Sequence, residues 1–134
     1  MVEGYDIEAG SSSQLENIST RGLVQTGAKV MIAGVIVGGS GSQKMIVRAL
    51  GPTLSNFGVA NALANPMLEL RDINGNLIQS NDNWRSTQQA EIIATGLYAG
   101  SAIVATLPPS NYTMIVRGVN NTTGVALVEV YRLN

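Results

Sequence analysis

The chain has 134 residues, of which 45% are hydrophobic and 13% are charged, and its formal net charge is −1. This composition predicts one folded domain with a hydrophobic core. Because the basic residues are scattered singly among the acidic ones and aromatic residues make up only 4%, we expect no nucleic-acid-binding surface.

Cysteine and histidine are both absent. Without cysteine, the chain has no disulfide framework, thiolate metal site or thiol nucleophile. Without histidine, it lacks the usual general base and the commonest metal ligand. We therefore expect a protein that is not an enzyme and that has no cofactor or metal. Since the longest apolar run is strand-sized, we also expect no membrane insertion.

The amino-terminal part of the chain divides into a short strand and a polar joint. Residues 2–7 read as a leading strand, and the Gly-Ser-Ser-Ser stretch at 10–13 reads as a flexible joint. The predicted organisation is therefore a leading strand and joint at 1–13, followed by one β-sandwich module at 14–134.

The next predicted elements surround a glycine-rich turn. Residues 30–37 are apolar on both parities, which predicts a strand covered on both faces. The turn at 38–42 and the strand at 44–50 would then close a hairpin. Residues 53–66 show no clean period and are predicted to form a packed loop with at most one helical turn.

A second hairpin is predicted in the middle of the chain. In residues 67–71, Leu68 and Leu70 alternate with charged residues, which predicts a strand with these two leucines facing inward. The Asn-Gly pair at 74–75 is typical of a type I′ turn, and a return strand is expected at 77–79.

One short helix is predicted at residues 88–94, which are rich in helix formers. Ser86 or Thr87 is the expected cap, because a side-chain oxygen there can accept from the first free amides.

The carboxyl-terminal third predicts a third hairpin and a last strand. Strands are expected at 101–107 and 112–119, joined by a tight turn at 108–111. A polar turn at 120–124 leads into the last strand at 125–133. The whole pattern predicts an all-β fold, an antiparallel β-sandwich with one short helix, for which the jelly roll is a candidate topology.

The two ends of the chain have similar sequences. Residues 2–7 (VEGYDI) align with residues 128–133 (VEVYRL) at an offset of 126. The similarity is either a coincidence between two strands or the trace of a tandem repeat. In the second case the leading strand is surplus and can pair with the open sheet edge of another copy, whereas the alternative is that it folds back on its own sheet. The interface then includes Val2, Tyr5, Ile7, Val128, Val130 and Tyr131.

Four motifs in order give the chain a family resemblance: NISTRG at 17–22, IVRALGP at 46–52, SNDNW at 80–84 and TGVALVEVY at 123–131. Together they resemble a repeat module of large secreted bacterial surface proteins. The resemblance implies a secreted or cell-surface, β-rich and non-catalytic module. The closing strand of that family commonly has an acidic residue after the tyrosine, as at Asp6, whereas this chain has Arg132.

Two functions follow as hypotheses. The first is an extracellular module whose partners are copies of itself, joined end to end into a filament or stalk. The alternative is a monomeric carbohydrate-binding or adhesive module that contacts glycans through Trp84, although Trp84 is better explained as a core or half-buried anchor. The acidic loops at 72–76 and 81–83 are better explained by turns than by bound cations.

Overall fold

The computed structural model describes residues 4–8, 17–97 and 100–133. Over these residues it contains nine strands and one α-helix, with short 3₁₀ turns between them. The elements in chain order are β1 (Gly4–Glu8), β2 (Asn17–Val24), β3 (Met31–Gly38), β4 (Gln43–Leu50), β5 (Pro66–Arg71), β6 (Leu77–Asn81), α1 (Gln89–Thr95), β7 (Ser101–Leu107), β8 (Ser110–Gly118) and β9 (Gly124–Leu133).

The strands form two sheets. The first sheet has the order β1-β3-β8-β5-β6, and the second has the order β2-β9-β4-β7. Four of the pairs, β2 with β9, β3 with β8, β4 with β7 and β5 with β6, are antiparallel and nested around the β5–β6 turn. The body of the chain is therefore one long hairpin whose successive pairs go to alternate sheets, which is the jelly-roll topology. The predicted β-sandwich and its jelly-roll form are confirmed.

The core lies between the two sheets. Burial alternates along the strands, so that every second side chain faces the opposite sheet. Leu68 and Leu70 are fully buried in this core, as predicted. A smaller apolar cluster covers the outer face of the second sheet, where Ile92 of α1 packs with Ile46 and Val104.

Two of the three predicted hairpins are wrong. The turn at 38–42 connects β3 of the first sheet to β4 of the second, and the turn before Ser110 connects β7 of the second sheet to β8 of the first. Both turns cross the sandwich instead of joining neighbours. Only the β5–β6 pair is a local hairpin, because it lies at the tip of the long one.

The turn of that hairpin differs in type from the prediction. Gly75 N–H donates to Asp72 O, and Asp72 N–H donates to Asn76 O. Gly75 has a φ of 82°, whereas Asn74 does not have the positive φ that a type I′ turn requires. The loop is one residue longer than predicted and ends in a left-handed glycine, as in a hairpin with a bulge.

Two further local predictions need correction. β3 is not covered on both faces: Val35 is buried, but Ile36 on the other face is 40% exposed, because the described elements that pack on β3 lie on its inner side. Helix α1 forms near the predicted place, but neither Ser86 nor Thr87 caps it. The N-cap is Gln88, which makes no side-chain capping bond.

Candidate strand-exchange edge and ligand cleft

The first candidate site is the free side of β3, which we call the acceptor edge. β3 pairs with β8 on one side and, on the other, with β1 in parallel. If β1 is removed, β3 becomes the edge of its sheet and exposes a row of unpaired backbone N–H and C=O groups. The eight strands of the jelly roll are complete without β1, so β1 is an addition to a finished sandwich.

The backbone register sets β1 against specific positions of β3. Tyr5 lies opposite Val35, and Ile7 lies opposite Val37. Both valines are buried core residues. Val2, which the sequence places in the interface, lies outside the described residues, as does the predicted joint at 10–13. β1, at Gly4–Glu8, overlaps the predicted leading strand at 2–7, and in the single chain it pairs with its own sheet.

The chain between β1 and β2 is long enough to allow either arrangement. Glu8 pairs with Gly38 at the end of β3, and Asn17 begins β2 at the same end of the sandwich. The two sheets of a sandwich lie about 10 Å apart. The eight intervening residues span up to about 28 Å when extended, at about 3.5 Å per residue. Their length therefore permits β1 to lie on its own β3 or to reach a neighbouring copy.

The other three predicted interface residues occupy a different environment. β9 is a central strand that pairs with both β2 and β4. Val128 and Val130 are buried in the core, and Tyr131 packs in the outer cluster beneath α1. The structure therefore places all three inside their own domain. Although β1 and β9 have similar sequences, one is a parallel edge strand and the other a central antiparallel strand.

Two of the four motifs meet at a polar cluster that the sequence did not predict. Arg48 of the second motif donates to a carboxylate oxygen of Glu129 in the fourth. Its Nη1 donates to Leu97 O over 3.0 Å, and its guanidinium carbon lies 5.3 Å from the centre of the Tyr131 ring. These contacts connect β4 with β9 and with the loop after α1, so the cluster stabilises the fold.

The second candidate site is a surface cleft of about 270 Å³ beside Trp84. Trp84 is half-buried and packs against the outer cluster, and the Arg85 guanidinium carbon lies 5.0 Å from its ring centre. Part of the Trp84 side chain therefore packs as the predicted anchor, and another part lines the cleft. The cleft is lined by Pro52, Ala64, Asn65, Pro66, Asp82, Asn83, Trp84, Arg85 and Gly100.

In the acidic loop at 72–76, the carboxylate of Asp72 accepts hydrogen bonds from the loop's own backbone. Asp72 Oδ1 accepts from the backbone N–H groups of Asn74 and Asn76, each over 2.9 Å. The bond from Asn76 is the main cause that holds the pKa of Asp72 below its ordinary value. Among the described residues no three acidic side chains gather as metal ligands. The predicted turn explanation therefore accounts for the geometry of this loop.

No protein-family model and no curated protein sequence matches the chain. Among solved structures, the pre-peptidase C-terminal domain of collagenase from Bacillus anthracis aligns with a TM-score of 0.53 and 11% identity, over 96% of this chain and 94% of that one. The periplasmic lysozyme inhibitor PliG of Aeromonas hydrophila has a TM-score of 0.53 and 10% identity, over 99% and 100%. The Yersinia pseudotuberculosis-derived mitogen has a TM-score of 0.51 and 11% identity, over 86% and 84%. At these identities the chain shares a β-rich fold with these domains.

Within the described part of the chain, no helix is long and apolar enough to cross a membrane.

Proposed function

We propose that this chain is an extracellular structural module that joins copies of itself end to end into a filament or stalk. β1 of one copy adds to the acceptor edge of the next copy. The observation that carries the proposal is that the eight-stranded jelly roll is complete without β1, which contacts it through β3 in the parallel pairing. The module has no catalytic role in this proposal.

Exchange between copies reproduces the contacts made within one copy. The five register pairs from Gly4 with Gly34 to Glu8 with Gly38 are available to any copy's β1, and swapping an identical element is a low-cost route to association. Because each donor strand leaves its own body and enters another, the contact is head-to-tail. Such a contact gives an open polymer when it does not close into a ring.

Concentration decides between the two arrangements. A copy's own β1 competes through a short linker at an effective concentration on the order of 1 mM. Exchange is therefore favoured where copies are crowded, as in an array on a cell surface. A tandem chain of such modules would supply the same crowding covalently.

The proposed location, secreted or on the cell surface, rests on the four motifs and on the composition. The chain is poor in charge, with 13% charged residues, and it has no cysteine to be oxidised. The resemblance to secreted bacterial surface modules supports the same location.

The proposal is tested by blocking β1 while keeping the jelly roll. Deletion of residues 1–10, or Tyr5→Pro, should abolish the polymers seen by negative-stain microscopy of concentrated protein, because proline cannot donate to the ladder. Circular dichroism should report an unchanged sandwich. Thr123→Pro in the exposed turn before β9 is a control outside the acceptor edge. Polymers that persist in both β1 variants would rule out strand exchange.

The alternative function, a monomeric carbohydrate-binding or adhesive module, is favoured by the cleft beside Trp84. An indole, the amides of Asn65 and Asn83 and the opposite charges of Asp82 and Arg85 suit a neutral ligand with many hydroxyl groups. A glycan array with Trp84→Ala as the control tests it. Binding by the wild type that is lost in the variant supports this function, and no bound glycan with either protein counts against it.

A further inference from the structure

The outer edge of β7 is closed by side chains. β7 is the edge strand of the second sheet and pairs there with β4. Val104 N–H donates to Gln88 Oε1 over 3.0 Å, and Val104 O accepts from Gln88 Nε2 over 2.8 Å. These two bonds imitate the two N–H···O=C hydrogen bonds that a pair of opposite residues forms in an antiparallel sheet. Ala102 N–H also donates, over 3.0 Å, to Asn81 Oδ1.

Both amides are held in a fixed orientation. Asn81 is buried, and its Nδ2 donates to Asn83 O and to Thr87 Oγ1, each over 2.9 Å. With its donor used in this way, Oδ1 faces β7. Gln88 Oε1 accepts a second bond from Gln79 Nε2 over 2.7 Å. We call Asn81 and Gln88 the amide clamp.

The conformation of Gln88 is unfavourable for a helix start. Gln88 has a φ of 41° and a ψ of 27°, in the left-handed region, and makes no capping bond to α1. Such a conformation is strained for a residue other than glycine. The same side chain that leaves α1 uncapped reaches Val104 instead. The geometry thus favours contact with β7 over a stable helix end.

The neighbouring edge of the first sheet is different. On β6, Leu77 is 51% exposed and Ile78 is 42% exposed. An open edge with apolar side chains is a template for pairing with another strand. The edge strands β6 and β7 therefore differ: side-chain amides bond to the backbone of β7, whereas β6 carries exposed apolar side chains.

We propose that the amide clamp closes the β7 edge of the second sheet to strand addition by extended strands of other copies. This inference deepens the proposed function, and its filament outcome rests on that function. It states that one sheet edge, β7, is unavailable for contacts between copies. The partner that the clamp excludes is a β-strand of a second copy, which would otherwise pair with Ala102 and Val104.

The test uses the full chain with Gln88→Asn. Asparagine tolerates the left-handed conformation better than glutamine, which offsets part of the loss of the clamp bonds and should keep the variant folded. Its side chain is one methylene shorter and should not reach Val104. Gln89→Asn, at the next and exposed position of α1, is the matched control. Gln88→Ala is a second variant that removes the amide altogether.

Two readouts are expected to change in Gln88→Asn and in Gln88→Ala. Hydrogen exchange at the Val104 amide should accelerate at least tenfold, and light scattering should report self-association at concentrations where Gln89→Asn matches the wild type. If the wild type forms filaments, the variants should form laterally joined bundles. If the wild type is monomeric, which would contradict the proposed function, the variants should still associate. Folded variants that associate no more than Gln89→Asn would overturn the clamp.

Discussion

Arg48 Nε donates to Glu129 Oε1 over 2.6 Å, across two neighbouring strands of the second sheet. The side chains are only 15% and 10% exposed. Tyr131 completes the cluster, since its hydroxyl donates to the other Glu129 oxygen over 3.2 Å. Two motifs that lie far apart in the sequence therefore form one largely buried ion pair, and Arg48 also bonds to the loop at Leu97.

Removal of one partner of this pair should destabilise the domain strongly. Glu129→Leu leaves the Arg48 guanidinium without its carboxylate, and breaking a buried pair costs about 3–5 kcal/mol. Because the pair is slightly exposed, we expect the lower end of that range. Urea unfolding followed by Trp84 fluorescence measures the change.

The double variant Arg48→Met with Glu129→Leu is the control for that prediction. Apolar replacement of both partners is often neutral or stabilising, so much of the lost stability should return. A double variant as unstable as the sum of the single ones would show that the ion pair does not couple the two positions.

Gly100→Ala should disrupt the start of β7. Gly100 has a φ of 55°, and an added Cβ would lie 2.1 Å from Ala49 O, a backbone atom that cannot move aside cheaply. We expect a loss of at least 2 kcal/mol, roughly the cost of one strained residue plus the clash. Gly41→Ala, where an added Cβ meets no atom within 4 Å, is the control and should be nearly neutral.

Acid should weaken the outer face of the first sheet through Glu69. Burial raises the pKa of Glu69, but hydrogen bonds from Arg117 and Arg71 outweigh it, so its pKa lies below the ordinary value. A carboxylate whose pKa is lowered by folding stabilises the fold above its unfolded pKa, about 4.3, and loses that contribution as the pH falls through the folded value.

Comparison with Glu69→Gln over a pH series measures this contribution. The wild type should be the more stable protein at pH 7, by on the order of 1 kcal/mol, and the difference should shrink below about pH 4. A difference that stays constant down to pH 2 would contradict the assigned role of the carboxylate.

The strands were largely predictable from the sequence, but their pairing was not. Alternation located β5, because a strand with one buried face shows its period in its own residues. The partner of each strand depends on a long hairpin rolled across two sheets. The predicted turns at 38–42 and 108–111 carry the glycine and proline of ordinary hairpin turns, and nothing local shows that they cross between sheets.

One candidate site was visible in the sequence, and the other depends on how the chain folds. β1 overlaps the predicted leading strand, because the strand-forming residues among 2–7 are a local pattern. The amide clamp was not predictable, because Asn81 and Gln88 look in sequence like a turn residue and a helix former. Their partners on β7 are at least 16 residues away, and only the fold brings them together.

The most direct test of strand exchange uses the absence of cysteine from the native chain. Asp6 and Ile36 are register partners on β1 and β3, and neighbouring strands lie about 4.8 Å apart, within the range that a disulfide spans. Two single variants, Asp6→Cys and Ile36→Cys, are mixed at about 1 mM, the concentration at which exchange competes with self-pairing. Oxidation follows, and the products are separated on a non-reducing gel.

Because each protein carries one cysteine, a bridge between positions 6 and 36 forms only between copies. Strand exchange predicts a disulfide-linked heterodimer in much higher yield than from Asp6→Cys mixed with Thr123→Cys, an exposed control position. The double variant Asp6→Cys with Ile36→Cys, which reports both arrangements, should give oligomer ladders under the same conditions. A bridge confined to monomers of the double variant, with no heterodimer above the control, would contradict assembly through β1.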